Sequence, residues 1–301
     1  FQKGFTVIEK NQGAENWRGI LWAMLSVIGA SAMAISVRGA SLGLDTKLIV
    51  GYRLFFTLIL IGIIILVVPR LRSKVHFNQP RAHFIRGILM AFSVHLGFYT
   101  LSIVPLAAAA ILFATAPIFA TLISVAMGRE TIGIRRTLAI LVGFIGTIIV
   151  MRPSSEMIDT NMIYGIGSSI FFSFSLVMSR NLARTDGPLS TLISTSAIGL
   201  IITIPLAAPV FEITTDANIL LWTLVLIIFG ILRQFSDIQA YNYAQAAVIA
   251  PISYFRVILI GLMAYLFFDE LPVITTYIGA TIIIAATIYI TNRERLARKL
   301  N

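Results

Sequence analysis

"LAAAAILFATAPIFATLISVAMGRETIGIRRTLAILVGFIGTIIV", residues 106–150, returns in altered form 140 positions later as "AAVIAPISYFRVILIGLMAYLFFDELPVITTYIGATIIIAATIYI", residues 246–290. Each copy opens on small residues and passes through an apolar run holding one proline, Pro117 or Pro251. Each then meets an acidic turn, at Glu130 or at Asp269-Glu270, and ends in a second apolar run containing glycine. A hydrocarbon core about 30 Å thick takes roughly 20 apolar residues to cross as a helix. Each copy therefore reads as two membrane spans joined by a short turn.

Composition agrees with this over the whole chain. Of 301 residues, 58% are hydrophobic and 12% charged, with mean hydropathy +0.92, against about 25% charged in soluble domains. The expected class is an all-α integral membrane protein. Apolar runs separated by charged or turn-rich breaks give ten spans, at 17–37, 47–68, 84–103, 106–127, 134–151, 161–179, 189–209, 218–240, 246–267 and 272–290. The breaks at Pro105 and Gln245 hold almost nothing polar and are expected to be tight hairpins. Residues 1–16 are polar and mixed in charge, so they are expected to form a tail rather than a cleaved leader, and the first run from Trp17 to stay as a helix.

Ten spans put both ends on one face, and Lys/Arg placement says which. Seventeen of the 23 basic residues fall on that face, and only Arg38, Lys47 and Arg152 on the other. Both termini are thus expected in the cytoplasm. The net charge of +10 is explained by topology, without a nucleic-acid partner. The expected organisation is a cytoplasmic tail (1–16), a first five-span unit (17–151), an outer linker (152–160), a second five-span unit (161–290) and a basic cytoplasmic tail (291–301). Five is odd, so the second unit enters the membrane inverted. Inverted repeats characterise carriers whose substrate site lies between the halves near mid-membrane.

The repeat, together with "GYRLFFTLIL" (51–60), "GFYTLSIVPL" (97–106), "AYNYAQAAVIAPISY" (240–254), "FFDELP" (267–272) and "IGATIII" (278–284), resembles the EamA family of the drug/metabolite transporter superfamily. Within that family "APISY" and "FFDELP" look most like a bacterial branch that includes S-adenosylmethionine uptake carriers. The resemblance implies a multi-pass protein of the bacterial inner membrane, monomeric or homodimeric. It implies movement of a small polar metabolite, an amino acid, S-adenosylmethionine or a similar zwitterion or anion, by alternating access, and no cofactor. The chain departs from the resemblance at Phe255-Arg256, where such relatives are usually apolar or acidic.

Charges inside spans cost about 2.5–3.5 kcal/mol each at mid-helix, so they are functional candidates. Four occur: Arg53, Arg233, Asp237 and Arg256. Arg233 and Asp237 stand one helical turn apart. Either they neutralise each other and fasten their helix to a neighbour, or Asp237 orients Arg233 toward a cavity with donors left for a carboxylate or phosphate. The 140-residue shift puts Ser93 and Gly97 in their places in the first unit, so the fold does not demand these charges. Arg256 lies at similar depth; either it bridges to Asp237 or it adds a second positive charge to the cavity. Arg53 either snorkels to the outer headgroups or faces inward. His95 and Tyr99 share a face, as a titratable ring and a phenol. Tyr254 and Ser253 lie beside Pro251, where they can stack on or bond to a ligand. Pro117 and Pro251 break the helical hydrogen-bond ladder and are expected to kink their spans; they are not equivalent under the shift, since 117 maps to 257.

Other classes find little in the chain. No cysteine is present, and there is no H-E-x-x-H, P-loop or G-x-G-x-x-G pattern, so metal hydrolysis and nucleotide-driven pumping lack their residues. Gly39-Ala40-Ser41-Leu42-Gly43 fits G-x-S-x-G, but that motif acts on a strand-to-helix elbow, and here it ends an apolar helix. An intramembrane enzyme and a non-transporting scaffold stand as alternatives to the carrier. The only carboxylate in a span is Asp237, and an arginine-paired carboxylate is a poor proton carrier, which favours exchange or facilitated movement.

Overall fold

The structure, a computed structural model, describes residues 2–104, 106–128, 133–151, 160–268, 278–279, 281–286 and 288–289. Among these residues all regular structure is helical: α1 (Gln2–Ala40), α2 (Thr46–Val67), α3 (Pro80–Ile103), α4 (Leu106–Ala114), α5 (Ala116–Ala126), α6 (Ile134–Met151), α7 (Met162–Thr185), α8 (Gly187–Ala207), α9 (Ala217–Tyr243), α10 (Ala246–Ser253) and α11 (Phe255–Phe268), with 3-10 turns at Pro69–Lys74 and Ala208–Val210. Further helical residues lie within 278–289. Seven stretches are long and apolar enough to cross a membrane. The span expected at 272–290 lies only partly among the described residues. The linker 152–159, the basic tail 291–301, Pro105, Glu130 and Asp269-Glu270 lie outside them.

Local chemistry sets the boundaries. Asp45 caps α2, its carboxylate accepting from the Lys47 N–H at 2.8 Å. Asp216 caps α9 in the same way, accepting from Asn218 (2.8 Å) and Ile219 (3.3 Å). Such a carboxylate satisfies amides that the first turn leaves free. Asp186 alone separates α7 from α8, and Gly187, which opens α8, takes φ +86°, a backbone shape that a side chain resists. The backbone is helical from Gln2, so the segment expected as a tail at 1–16 instead extends the first helix.

Two expected spans each divide in two. Between α4 and α5 the ladder shortens at Thr115, whose N–H donates to Leu112 (3.2 Å) and whose carbonyl accepts from Ile118 (3.0 Å). Between α10 and α11 it does the same at Tyr254, bonded to Pro251 (3.3 Å) and Val257 (3.0 Å). The prolines lie on opposite sides of their breaks, Pro117 after and Pro251 before. The breaks themselves nearly superpose under the repeat, since 115 maps to 255. Proline removes one donor and crowds the preceding turn, so either placement yields an interruption at the same depth.

The carbonyls loosened at these breaks are met by the first helix of the opposite half. Ser173 Oγ on α7 lies 2.8 Å from the Ala116 carbonyl and 2.6 Å from the Ser169 carbonyl of its own helix, and Ser31 on α1, which donates to Val27 at 2.9 Å, lies 3.5 Å from the Arg256 carbonyl. Residues 116 and 256 are equivalent in the repeat. Ser169 adds a bond to the Leu112 carbonyl at 2.9 Å. Within hydrocarbon, irregular backbone persists only where protein or water satisfies it.

Packing repeats the same exchange. Under the 140-residue shift α1 corresponds to α7, α2 to α8, α3 to α9, α4 to α10 and α5 to α11. The most extensive contacts are α1 with α9 and α3 with α7, which interchange, and α2 lies against its own counterpart α8. α1 and α9 run antiparallel: Gly19 faces Ala244, Gly29 faces Arg233 and Gly39 faces Trp222. Polar residues point inward, among them Ser168, Ser169, Ser173, Ser175 and Ser179 of α7. Outward side chains such as Leu21, Ile63, Ile201 and Leu221 are apolar, the arrangement expected against lipid.

Candidate functional site

Two chambers lie between the two halves and share a border of side chains, the waist. The chamber toward the α1–α2 turn holds about 670 Å³ and is lined chiefly by Met33, Met90, Phe98, Leu101, Leu106 and Ile260. The chamber toward the α9–α10 turn holds about 420 Å³ and is lined by Ser26, Leu176, Asp237, Tyr241, Ser253 and Pro117. Phe113, Phe172, Arg233 and Arg256 border both. The α4–α5 break delivers Phe113 there, α7 delivers Phe172, and α9 and α11 deliver the two arginines.

At this waist each guanidinium lies over a ring: Arg233 over Phe172 at 4.8 Å and Arg256 over Phe113 at 5.8 Å. A cation over an aromatic face is held by the ring quadrupole without losing its charge. Arg233 Nε is 3.7 Å from Asp237 Oδ2, and its Nη1 meets the Met33 sulfur at 3.9 Å. The other Asp237 oxygen, Oδ1, accepts from the Ser26 hydroxyl. No ion pair links Arg256 to Asp237 among the described residues, and Arg256 Nε has no hydrogen-bond partner. Arg256 therefore stands as a second positive charge.

Arg53 comes from α2 to the same neighbourhood. Its side chain is 1% exposed, so it points into the bundle rather than snorkelling to headgroups. Nη2 donates to Gln234 Oε1 at 3.0 Å and the group lies 5.8 Å from the Phe98 ring. Its Nε and Nη1 have no partner. Gly230 leaves the room it occupies, since a Cβ there would lie 2.7 Å from Arg53 Nε.

Other candidates lie apart. Tyr254 is fully buried among Ala114, Val257 and Ile283, away from both chambers, while its neighbour Ser253 reaches the smaller one. His95 bonds to the Thr203 hydroxyl on α8 at 2.9 Å. Tyr99 is 42% exposed and packs edge-on against Tyr164 at 5.1 Å. Neither residue lines the cavity.

A second polar centre joins α3 to the α7–α8 turn. His83 Nδ1 lies 2.7 Å from Ser194 Oγ, and its Nε2 lies 2.9 Å from Asp186 Oδ2. Asp186 also accepts from the Asn78 side chain (2.7 Å) and the Gln79 N–H (3.1 Å). Burial pushes the Asp186 carboxyl up, but the bonds from His83, Asn78 and Gln79 outweigh it and hold the group below the ordinary carboxylate range. One turn on, Arg86 is 1% exposed. It donates to Ser179 Oγ (2.8 Å), the Ser175 carbonyl (3.2 Å) and the Thr191 carbonyl (3.3 Å), and contacts Thr195 Oγ1. By sequence Arg86 counts among the seventeen basic residues of the cytoplasmic face; its side chain is instead enclosed between α3, α7 and α8.

The profile of the EamA-like transporter family matches residues 17–152 and again residues 160–292. The chain belongs to that family. Membership of this transporter family implies a multi-pass bundle in the lipid bilayer and a small-molecule substrate. An S-adenosylmethionine uptake transporter of Rickettsia bellii is 27% identical over 279 residues, covering 93% of this chain and 95% of its own. A riboflavin transporter of Vibrio cholerae is 26% identical over 242 residues, covering 77% and 80%. A solved crystal structure shares the fold with a TM-score of 0.72 at 19% identity, over 93% of this chain and 98% of that one.

Within this EamA-like fold the waist depends on residues that sequence reading passes over. Phe113 and Phe172 sit in apolar runs where an aromatic signals nothing unusual. Ser26 is one of several serines in α1. Gln234 adjoins Arg233, and its polarity in an apolar run was the available signal.

Proposed function

We propose that this EamA-like protein is a secondary carrier that moves a small polar metabolite across the bacterial inner membrane by alternating access. In this reading ten spans form two inverted five-helix units, both termini are cytoplasmic, and the working unit is a monomer or homodimer. The observation that carries it is the pair of chambers that share Arg233 and Arg256 as a border between the repeat-related helices. A pore would need a continuous path; a carrier needs a site that faces one chamber at a time. Arg233, oriented by Asp237, and Arg256 supply the substrate contacts, and the α4–α5 and α10–α11 breaks supply the bends that let each half rock. The match to an S-adenosylmethionine uptake transporter places that compound on the substrate panel beside amino acids and nucleosides. The mode proposed is exchange or facilitated movement.

The test is counterflow into liposomes holding the purified protein. Saturable uptake accelerated by substrate on the far side is expected. No flux of any panel compound, with the protein folded, refutes the carrier.

A further inference from the structure

The charges around the waist do not balance. Arg53, Arg86, Arg233 and Arg256 are four cations within electrostatic reach of one carboxylate, Asp237, leaving a formal excess of three. That carboxylate accepts from Ser26 on Oδ1, while Oδ2 faces Arg233 Nε at 3.7 Å and has no hydrogen-bond partner. Donors remain open instead: Arg256 Nε, Arg53 Nε and Nη1, and Gln234 Nε2 have no partner. Beyond Arg233 and Arg256 opens the larger chamber, walled by methionine, phenylalanine and leucine. Buried cations without counter-charge call for an anion, and an apolar chamber beside them calls for an apolar body attached to it.

We propose that the cavity takes an amphipathic organic carboxylate: an apolar or aromatic body seated in the Met33–Phe98 chamber, and an anionic head held at the waist by Arg233 and Arg256. A bidentate guanidinium–carboxylate pair fits this head, and methionines adapt to the shape of the body. A cationic ligand, or the ammonium of a zwitterion, meets an excess of like charge at the waist. The inference rests on the carrier reading only in taking this cavity as the substrate's place.

The probe is one ring system carrying different charges. Thermal stabilisation of the purified full chain in detergent is measured with indole-3-propionate, L-tryptophan, tryptamine and propionate. Indole-3-propionate is expected to stabilise at a concentration at least about tenfold below the other three, the factor for one charge-assisted hydrogen bond. Arg256→Gln is expected to erase its advantage over tryptophan. No stabilisation by indole-3-propionate, or equal or better stabilisation by tryptophan or tryptamine, overturns the anionic head. Equal potency of propionate overturns the apolar body. An advantage that survives in both Arg256→Gln and Arg233→Gln overturns the assignment of the head to these residues; if either variant fails to fold, the charge series on the unaltered chain decides. Binding here needs no vesicle, so an intact charge order without flux counts against the carrier alone, and flux with a reversed charge order counts against the ligand class alone.

Discussion

Ser93 and Ser168 exchange hydrogen bonds where α3 crosses α7, each hydroxyl donating to the other's carbonyl, at 3.0 and 2.8 Å. The equivalent crossing of α9 with α1 carries Arg233 against Gly29. One half of the fold thus closes its crossing with a neutral, self-satisfied pair, while the other places a guanidinium there that reaches into the cavity.

Arg233→Ser gives the second crossing the residue of the first. The variant is expected to fold, with a melting temperature near that of the parent, because Ser93 demonstrates that the position tolerates serine. Transport is expected to fall about 10- to 100-fold, the loss of about 1.5–3 kcal/mol for a hydrogen bond to a charged group. Initial uptake rates in liposomes, set beside melting curves, separate the two effects. Uptake unchanged from the parent removes Arg233 from the site.

Gly29 and Gly62 form a matched pair. A Cβ on Gly29 would lie 3.0–3.1 Å from Arg233 N, Arg233 Cβ and the Phe229 carbonyl, whereas nothing lies within 4 Å at Gly62. Gly29→Ala is therefore expected to force α1 and α9 apart at a cost of about 1–3 kcal/mol. Gly62→Ala is expected to be neutral or to stabilise by up to about 1 kcal/mol through helix propensity. Denaturant titrations of the two variants give the comparison, and equal stability contradicts the close crossing.

Ser173→Ala leaves the Ala116 carbonyl without its α7 donor. A cost of about 0.5–1.5 kcal/mol is expected for one lost hydrogen bond. Ser102→Ala serves as control, because its hydroxyl bonds only to the exposed Tyr99 carbonyl. The measurement is the shift in melting temperature of the two variants.

The Asp186 centre makes stability depend on pH. Its carboxyl is held below the ordinary value of about 4 by His83, Asn78 and Gln79, against the opposing effect of burial. A lowered folded-state value means that the contribution is fully present above the unfolded value and is lost as pH falls through the folded one. Melting temperature is expected to drop on acidification below about pH 4, and Asp186→Asn to flatten that limb while lowering stability at neutral pH. An unchanged acid limb in the variant shows that other groups set it.

Much of this architecture is legible in the residue order, because membrane spans announce themselves by local hydropathy and the repeat is a comparison of the chain with itself. The kinks expected from Pro117 and Pro251 fall within three residues of the observed breaks at Thr115 and Tyr254. Facing is harder. Arg86 one turn into α3 reads like a headgroup anchor, and only the serines and threonines brought by α7 and α8 turn it inward. Tyr254 looks suited to a ligand from its neighbours in the chain, yet the break turns it onto Gly143 and its neighbour Ser253 toward the cavity. Those outcomes depend on partners more than 60 residues away, which no local pattern encodes.

The waist also bears on what else crosses the membrane. On the carrier reading proposed above, two guanidiniums between the chambers are expected to repel hydronium and metal cations, as an arginine does in selective pores. Such a waist would spare the ion gradients across the membrane, by electrostatic exclusion as well as by the bulk of Phe113 and Phe172.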